Sequence, residues 1–311
     1  MEDGETMHKK LAYLLATVMI MGCLTACKDH EPFETIDPNI SATVQETTQE
    51  TQPLVDLGYD YLLVYLNGNQ RYYRVYDENG NLVRDTTLGD NGYTFTYEYD
   101  EYGNLLTDMK TGQDGDSQGG YTRVYDAAGN CIEKTYVNPD GSFGTKYVYE
   151  YDIYGYLIKE TEYDSDGNIY QWIEYENDVY GNPILQKQSN PAGESYEVKN
   201  EYEYDSNGNI TQFAFYRGGE YCGRTENKYD AAGHLICEKT YNADGSNKSW
   251  VEYSFDENGN MKYKTIFRTD GKVFQSVAYE YGFDGYLAIE TKYDEDHEIV
   301  EMYQYVYYRA E

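Results

Sequence analysis

The sequence is short of basic residues and has only one long apolar run. Lys and Arg together number 24, against 56 Asp and Glu, so the formal net charge of the 311 residues is −32. A surface of this charge repels phosphate and sulfate groups, which excludes nucleic acid and heparin as partners. A polytopic membrane protein is also excluded, because every spanning helix needs about 20 apolar residues.

Cysteine is scarce too, whereas tyrosine is abundant. The chain has five Cys, and they follow no repeated spacing, so disulfides are not expected to hold the fold. Tyr occurs 40 times, against nine Phe and two Trp. This aromatic content is too high for a disordered acidic chain. We therefore expect a folded domain in which tyrosine rings provide much of the packing.

Residues 1–26 have the features of an export signal. Two lysines precede an uncharged stretch, residues 11–21, which is too short to span a bilayer. The following segment, Leu24–Cys27, resembles the lipobox of bacterial lipoproteins. The resemblance implies that the chain is cleaved before Cys27 and that this residue carries a lipid. The lipid would anchor the protein in a membrane. The alternative is an ordinary secretory signal with an incidental cysteine.

Residues 27–56 predict a flexible linker. They are rich in Thr, Gln, Glu and Pro and show no hydrophobic period. Such a segment would hold a domain away from a membrane surface. Together with the lipobox, it predicts a protein of the bacterial cell envelope that is lipid-anchored and faces outside the cytoplasm.

The remainder, residues 57–311, is one repeat. The phrase Tyr-Asp-x-x-Gly-Asn recurs with mostly 26-residue spacing, and its glycines are Gly80, Gly103, Gly129, Gly155, Gly181, Gly208, Gly233, Gly259 and Gly285. A second turn signal such as Pro139–Gly141 falls between most of them. Runs rich in Tyr, Val, Ile and Thr connect the turns and predict strands. We expect an all-β protein: an antiparallel meander of about eighteen strands from nine hairpin repeats, forming a long curled or spiral sheet.

The turn chemistry also predicts a register. A three-residue turn with glycine at the left-handed position places Tyr151 opposite Leu157, and regular alternation then places Tyr149 opposite Lys159. The same counting pairs Tyr147 with Thr161, Glu252 with Lys264, and Cys237 with Glu226. One face would be lined by tyrosines and turn inward, and the other would carry most of the acidic residues.

The motif resembles the YD repeat of the Rhs family, as in Tyr76–Leu82 and Tyr99–Leu105. The resemblance covers about residues 59–311 and implies one β-hairpin per repeat in a secreted or cell-surface protein. Some members of the family enclose a toxin. Here Asn replaces the family's Arg in most copies, and the repeats are far fewer than such a shell needs, so the toxin role is not carried over.

The predicted tyrosine face is the surface with binding character. One column, two residues before the motif Tyr, contains Tyr97, Tyr149, Tyr175, Tyr202, Tyr253 and Tyr279. Rings about 5 Å apart along this column could stack against sugar rings or against a partner's apolar side chains. The alternative is that the column is only the core of a single-sheet protein.

Motifs for catalysis, metals and cofactors are weak. The turn Asp164–Asn168 has alternate oxygen ligands but lacks the spacing of an EF-hand, and Asp and Asn commonly cap their own turns. His234 takes the place of a turn Asn. We therefore expect that the chain is not an enzyme and holds no metal or cofactor. We expect a non-catalytic binding or adhesion module whose ligand is a neutral carbohydrate or a protein. The alternatives are a structural spacer of the envelope and an enzyme or toxin-associated factor.

Overall fold

The computed structural model describes residues 60–283 and 285–309, and their regular structure is strand and turn. The predicted signal peptide, Cys27 and the linker lie outside the described residues. Within the described ranges, no helix has the length and apolarity that a membrane crossing requires. The all-β prediction is therefore confirmed.

Twenty strands make one antiparallel sheet. They are β1 Tyr61–Leu66, β2 Asn69–Tyr76, β3 Leu82–Thr87, β4 Tyr93–Tyr99, β5 Leu105–Gly112, β6 Ser117–Tyr125, β7 Cys131–Val137, β8 Phe143–Tyr151, β9 Leu157–Tyr163, β10 Ile169–Asn177, β11 Pro183–Ser189, β12 Ser195–Tyr204, β13 Ile210–Arg217, β14 Glu220–Tyr229, β15 Leu235–Asn242, β16 Asn247–Phe255, β17 Met261–Phe267, β18 Val273–Tyr281, β19 Leu287–Tyr293 and β20 Ile299–Tyr308. All lie in one compact unit, to which the turn residues 179–181 are not assigned.

The sheet closes on itself, which corrects the expectation of an open curl or spiral of about eighteen strands. The nine motif turns join β2–β3 through β18–β19, and β1 and β20 are additional. These two strands pair with each other, from Tyr61 opposite Tyr308 to Leu66 opposite Tyr303. The rings of Tyr61 and Tyr308 stack with centroids 4.9 Å apart. Closure gives every strand two neighbours, so no edge remains unpaired.

The motif Asp organises eight of the nine motif turns, and Gly282 stands in its place in the β18–β19 turn. In the β6–β7 turn, Asp126 Oδ1 accepts bonds from the backbone N–H groups of Ala128 and Asn130, each at 2.9 Å. Its Oδ2 accepts a bond of 3.0 Å from Asn130 Nδ2. Gly129 lies at φ 86°, where a Cβ would be strained. In the β14–β15 turn, the ring Nδ1 of His234 replaces the Asn side chain, 2.9 Å from the motif Asp.

The motif Tyr connects successive repeats. The Tyr151 hydroxyl donates a 2.8 Å bond to the backbone carbonyl of Cys131, two residues after the glycine of the preceding motif. Equivalent bonds of 2.8–3.0 Å are Tyr99 to Leu82, Tyr125 to Leu105, Tyr229 to Ile210, Tyr281 to Met261 and Tyr307 to Leu287. Where Asn177 replaces the Tyr, its Nδ2 donates to Leu157 at 2.9 Å. The motif Tyr is thus a structural residue.

A β-bulge after each motif turn makes the predicted register wrong beyond its first pair. Tyr151 does lie opposite Leu157, but Glu150 is opposite Lys159 and Tyr149 is opposite Glu160. Ile158 is the extra residue, and a one-residue shift moves all later side chains to the other face. The other predicted pairs fail for the same reason, and the observed ones are Tyr147–Glu162, Glu252–Thr265, Tyr253–Lys264 and Lys228–Cys237.

We define the tyrosine face as the face that carries the motif tyrosines and the residues alternating with them. The buried branched aliphatic residues lie on it: Leu62, Val64, Ile173, Val198 and Val277. Since the interior of a closed sheet alternates with its exterior along every strand, we assign the tyrosine face to the inside. The bulges add Glu160 and Glu162 to this face, so it is not purely aromatic.

Candidate functional site

The six tyrosines of the predicted column all lie on the tyrosine face. They occupy β4, β8, β10, β12, β16 and β18, and each is half-buried. The sequence analysis missed Tyr305 of β20, which has the same place two residues before Tyr307. Cys27, the predicted lipidation site, lies outside the part of the chain that the structure describes.

The column is not a continuous stack of rings, which corrects the expected 5 Å ladder. At least one strand separates each column residue from the next, and three strands do so between β4 and β8 and between β12 and β16. On the strand that follows each tyrosine, the residues directly opposite are Asp108, Glu160, Gln186, Phe213, Lys264 and Glu290. Tyr202 and Phe213 do stack, with centroids 5.2 Å apart. Elsewhere the tyrosines alternate with polar or charged groups.

These neighbours determine how the column hydroxyls titrate. Burial, and then the nearby Glu160 carboxylate, raise the pKa of Tyr149 and of Tyr175 above the ordinary value. Burial and the Glu290 carboxylate do the same to the pKa of Tyr279. Each of these hydroxyls therefore keeps its proton at neutral pH and can donate a hydrogen bond.

Buried amides form a polar cluster on the tyrosine face of β10–β12. We call Gln171, Gln186, Gln188 and Asn200 the amide cluster; their exposed fractions are 8, 5, 6 and 3 %. Gln171 Nε2 donates to Glu162 Oε2 at 2.6 Å, and Gln188 Nε2 donates to Gln171 Oε1. A hydrogen-bonded chain therefore runs across β9, β10 and β11.

Three amide oxygens of the cluster have no hydrogen-bond partner. Gln186 Oε1, Gln188 Oε1 and Asn200 Oδ1 are buried and accept no hydrogen bond, and Tyr175 Oη beside them makes none. Gln186 lies directly opposite Tyr175. An unpaired buried polar group costs about 1–3 kcal/mol, so four in one place are a considerable local cost. Amide oxygens only accept, so this surface suits a group that donates hydrogen bonds, such as a hydroxyl.

Sequence reasoning missed the amide cluster. Its signal was present: Gln186 and Gln188 alternate along β11, and Asn200 alternates with Val198 and Tyr202 on β12. Period-two amides in a strand are unusual on a face that other repeats fill with Tyr, Val or Ile. Because the bulges were not foreseen, Gln186 and Gln188 did not fall on the inner face in the predicted register.

The described residues contain no group of three or more His, Cys, Asp and Glu side chains arranged to hold a metal ion. In this part of the chain, Cys131, Cys222 and Cys237 are free thiols, and Cys237 is buried. Burial raises the pKa of the Cys131 thiol despite the nearby Arg123. A thiol of raised pKa is a poor nucleophile at neutral pH.

No family model and no curated protein matches the chain. Solved structures do match, all at low identity. A Tc holotoxin pore of Photorhabdus luminescens is 12% identical, with a TM-score of 0.35, over 77% of this chain and 16% of that chain. A porin-like protein of Bacteroides uniformis is 14% identical, with a TM-score of 0.35, over 82% of this chain and 99% of that chain.

A porin-like protein of Bacteroides vulgatus is 8% identical, with a TM-score of 0.30, over 80% of this chain and 98% of that chain. The chain thus spans only 16% of the toxin chain that it matches. Likenesses of this size concern the all-β repeat fold alone. Function has to be argued from the side chains of the tyrosine face.

Proposed function

We propose that this chain is a non-catalytic binding module whose tyrosine face binds a neutral, hydroxyl-rich carbohydrate. The module is a lipoprotein with YD-type repeats, anchored through Cys27 in a bacterial cell envelope and facing outside the cytoplasm. A protein ligand is the other possibility within the same function. The sugar is favoured because its hydroxyls supply hydrogen-bond donors and its ring stacks on tyrosine.

The observation that supports binding is the set of unpartnered acceptors beside Tyr175. Gln186, Gln188 and Asn200 each leave a buried amide oxygen without a donor. In a purely structural face, apolar residues of similar size would pack there without this cost. Sugar hydroxyls would supply the missing donors, and Tyr175 offers a ring for stacking next to them.

A structural spacer is the second candidate, favoured by the bonds that the motif tyrosines make between repeats. The Tyr151–Cys131 bond and its equivalents use those hydroxyls within the fold. Tyr175 of the column differs, since its Oη has no partner. The spacer hypothesis thus accounts for the motif Tyr but not for the amide cluster.

The test is a neutral-glycan array with the full chain, followed by calorimetry on the best hit. Gln186→Leu should weaken binding at least tenfold, because it removes a hydrogen-bonding group and keeps the volume. Lys187→Leu is the matched control, since Lys187 is exposed on the other face of β11. An array without any neutral-glycan signal, or a Gln186→Leu protein that binds as tightly as the parent, would contradict the proposal.

The anchor is tested separately. Cys27→Ser should leave the precursor uncut and release the protein from membranes of a bacterial host. The measurement is fractionation together with mass spectrometry of the N-terminal peptide. A variant that still carries acyl chains would disprove lipidation at this residue without affecting the binding proposal.

A further inference from the structure

Two cations face each other on the tyrosine face of β6 and β7. Arg123 lies directly opposite Lys134 in the observed register. Like charges directly opposite each other destabilise an antiparallel pair. The chain has more than twice as many acidic as basic residues, 56 against 24, so an acidic partner would be easy to supply. A pair that breaks a local rule in this way suggests a functional position.

Neither cation is fully neutralised. Arg123 forms an ion pair with Asp108 of β5, yet its Nη1 is buried and makes no hydrogen bond. Lys134 Nζ lies 4.1 Å from the centroid of the Tyr121 ring. No carboxylate within the described ranges lies at ion-pair distance from Lys134. Lys134 therefore has no paired carboxylate, and the nearest acidic side chains, Asp108 and Glu160, act on its charge only from a distance.

The surroundings make this charge costly. Burial lowers the pKa of the Lys134 ammonium, and the charge of Arg123 lowers it further, while Asp108, Cys131 and Glu160 act in the opposite direction. The side chain of Arg123 is only 14% exposed. A bound anion would reverse both effects, because it would pair with the ammonium and with the free guanidinium N–H.

The pair also interrupts the tyrosine column. Arg123 stands two residues before the motif residue Tyr125, which is the place that Tyr97 and Tyr149 occupy in the repeats on either side. Tyr121 and Tyr147 lie next to the pair, the latter directly opposite Lys134. The cations are thus enclosed by rings of the same face on which a sugar could stack.

We propose that Arg123 and Lys134 form a subsite for one carboxylate group, and that the otherwise neutral saccharide ligand contains one acidic sugar. The saccharide part rests on the proposed function. The amide cluster begins at β10, three strands from β7 and hence about 14 Å away, so one oligosaccharide can reach both. A net charge of −32 still excludes polyanions, whose repulsion grows with each added charge, whereas a single carboxylate meets a local positive charge.

The experiment is calorimetry of the full chain with an oligosaccharide that ends in glucuronic acid and with the same oligosaccharide after reduction of its carboxyl to an alcohol. The acidic form should bind at least tenfold tighter. Lys134→Met should abolish that difference. Lys146→Met is the control, because Lys146 lies on the other face and pairs with Glu133 at 3.5 Å; it should change neither affinity.

The outcomes separate the two proposals. Equal affinity for both forms, with measurable binding, overturns the carboxylate subsite and leaves the carbohydrate function standing. If neither oligosaccharide binds, the result contradicts both the carboxylate subsite and the carbohydrate function. A peptide whose C-terminal carboxylate binds in a Lys134-dependent way, where the uronate does not, overturns the saccharide assignment. Lys134→Met should also raise Tm, since it removes a repulsion; a lower Tm would give Lys134 a structural role and contradict the proposal.

Discussion

The two faces of the same strands differ in how far their charged side chains are exposed to solvent. On the outer face, charged side chains are exposed and pair at the surface, as Lys159 does with Glu150 at 3.6 Å. On the tyrosine face, Glu160 is largely desolvated, and burial together with Glu162 raises its pKa to about 6. An exposed ion pair changes the free energy of unfolding little, whereas a buried charge without a partner lowers it considerably.

The difference indicates where selection for function acts. On the outer face, exposed charges stay solvated and contribute little to stability. The tyrosine face carries Arg123, Lys134 and Glu160 at positions where an apolar residue would pack without electrostatic cost. Polar groups that persist under such a cost are the candidates for ligand contact.

The largest expected difference between the faces is in packing. Ile173→Ala on the tyrosine face should lower the free energy of unfolding by about 2–4 kcal/mol, because the side chain is 4% exposed and a cavity remains. Val124→Ala on the outer face, where Val124 is 50% exposed, should cost under about 0.5 kcal/mol. Urea unfolding of both variants measures this, and equal losses would mean that the outer face is packed as well.

Glu160→Gln should be stabilising, by about 2 kcal/mol at pH 7. The carboxyl has a pKa of about 6 in the fold against an ordinary value of 4.5, so the folded state disfavours its charged form. The fold is therefore most favoured below pH 4.5 with respect to this group, and the contribution is lost as the pH rises through 6.

The measurement is the unfolding free energy of parent and variant between pH 4.5 and 7.5. Their difference should grow over this range and be near zero at its acid end. Glu150→Gln is the outer-face control, with a side chain 55% exposed, and should change the unfolding free energy by under about 0.5 kcal/mol. A Glu160→Gln protein that is less stable at pH 7 would mean that the carboxylate is compensated in the fold.

The motif tyrosines should show a smaller effect. Tyr151→Phe removes the hydroxyl that donates to the Cys131 carbonyl and should cost about 1–2 kcal/mol. Tyr154→Phe, in the β8–β9 turn, is the control because Tyr154 is 70% exposed. Thermal unfolding compares them. If both variants melt like the parent, water replaces the inter-repeat bond and the motif Tyr is held by its ring alone.

Much of the fold follows from local sequence. The motif Asp and Gly are sufficient to predict the turns, because the bonds of Asp126 and the positive φ of Gly129 involve only neighbouring residues. Strand alternation follows from the period of the tyrosines. The column Tyr97 to Tyr279 was placed on a single face for the same reason.

The rest depended on non-local or irregular features. Closure requires β1 to meet β20, whose partners lie more than 230 residues apart, and no local pattern encodes it. The bulge at Ile158 adds one residue to a strand and exchanges the faces of Glu160 and Glu162. The amide cluster was missed because its members become neighbours only in that shifted register.

The smallest predicted effect tests this register directly. In the bulged pairing, Glu150 lies opposite Lys159, and their charged atoms approach to 3.6 Å. Without the bulge, Glu150 would oppose Ile158. A double-mutant cycle of Glu150→Ala and Lys159→Ala should give a coupling of about 0.3 kcal/mol at low salt, which is typical of exposed pairs. High salt should abolish this coupling.

The control cycle combines Glu150→Ala with Lys146→Ala. Lys146 lies four residues from Glu150 on the same strand, about 13 Å away, so this cycle should give no coupling. A coupling in the control but not in the Lys159 cycle would show that the strands pair in another register, which would move Glu160 off the tyrosine face.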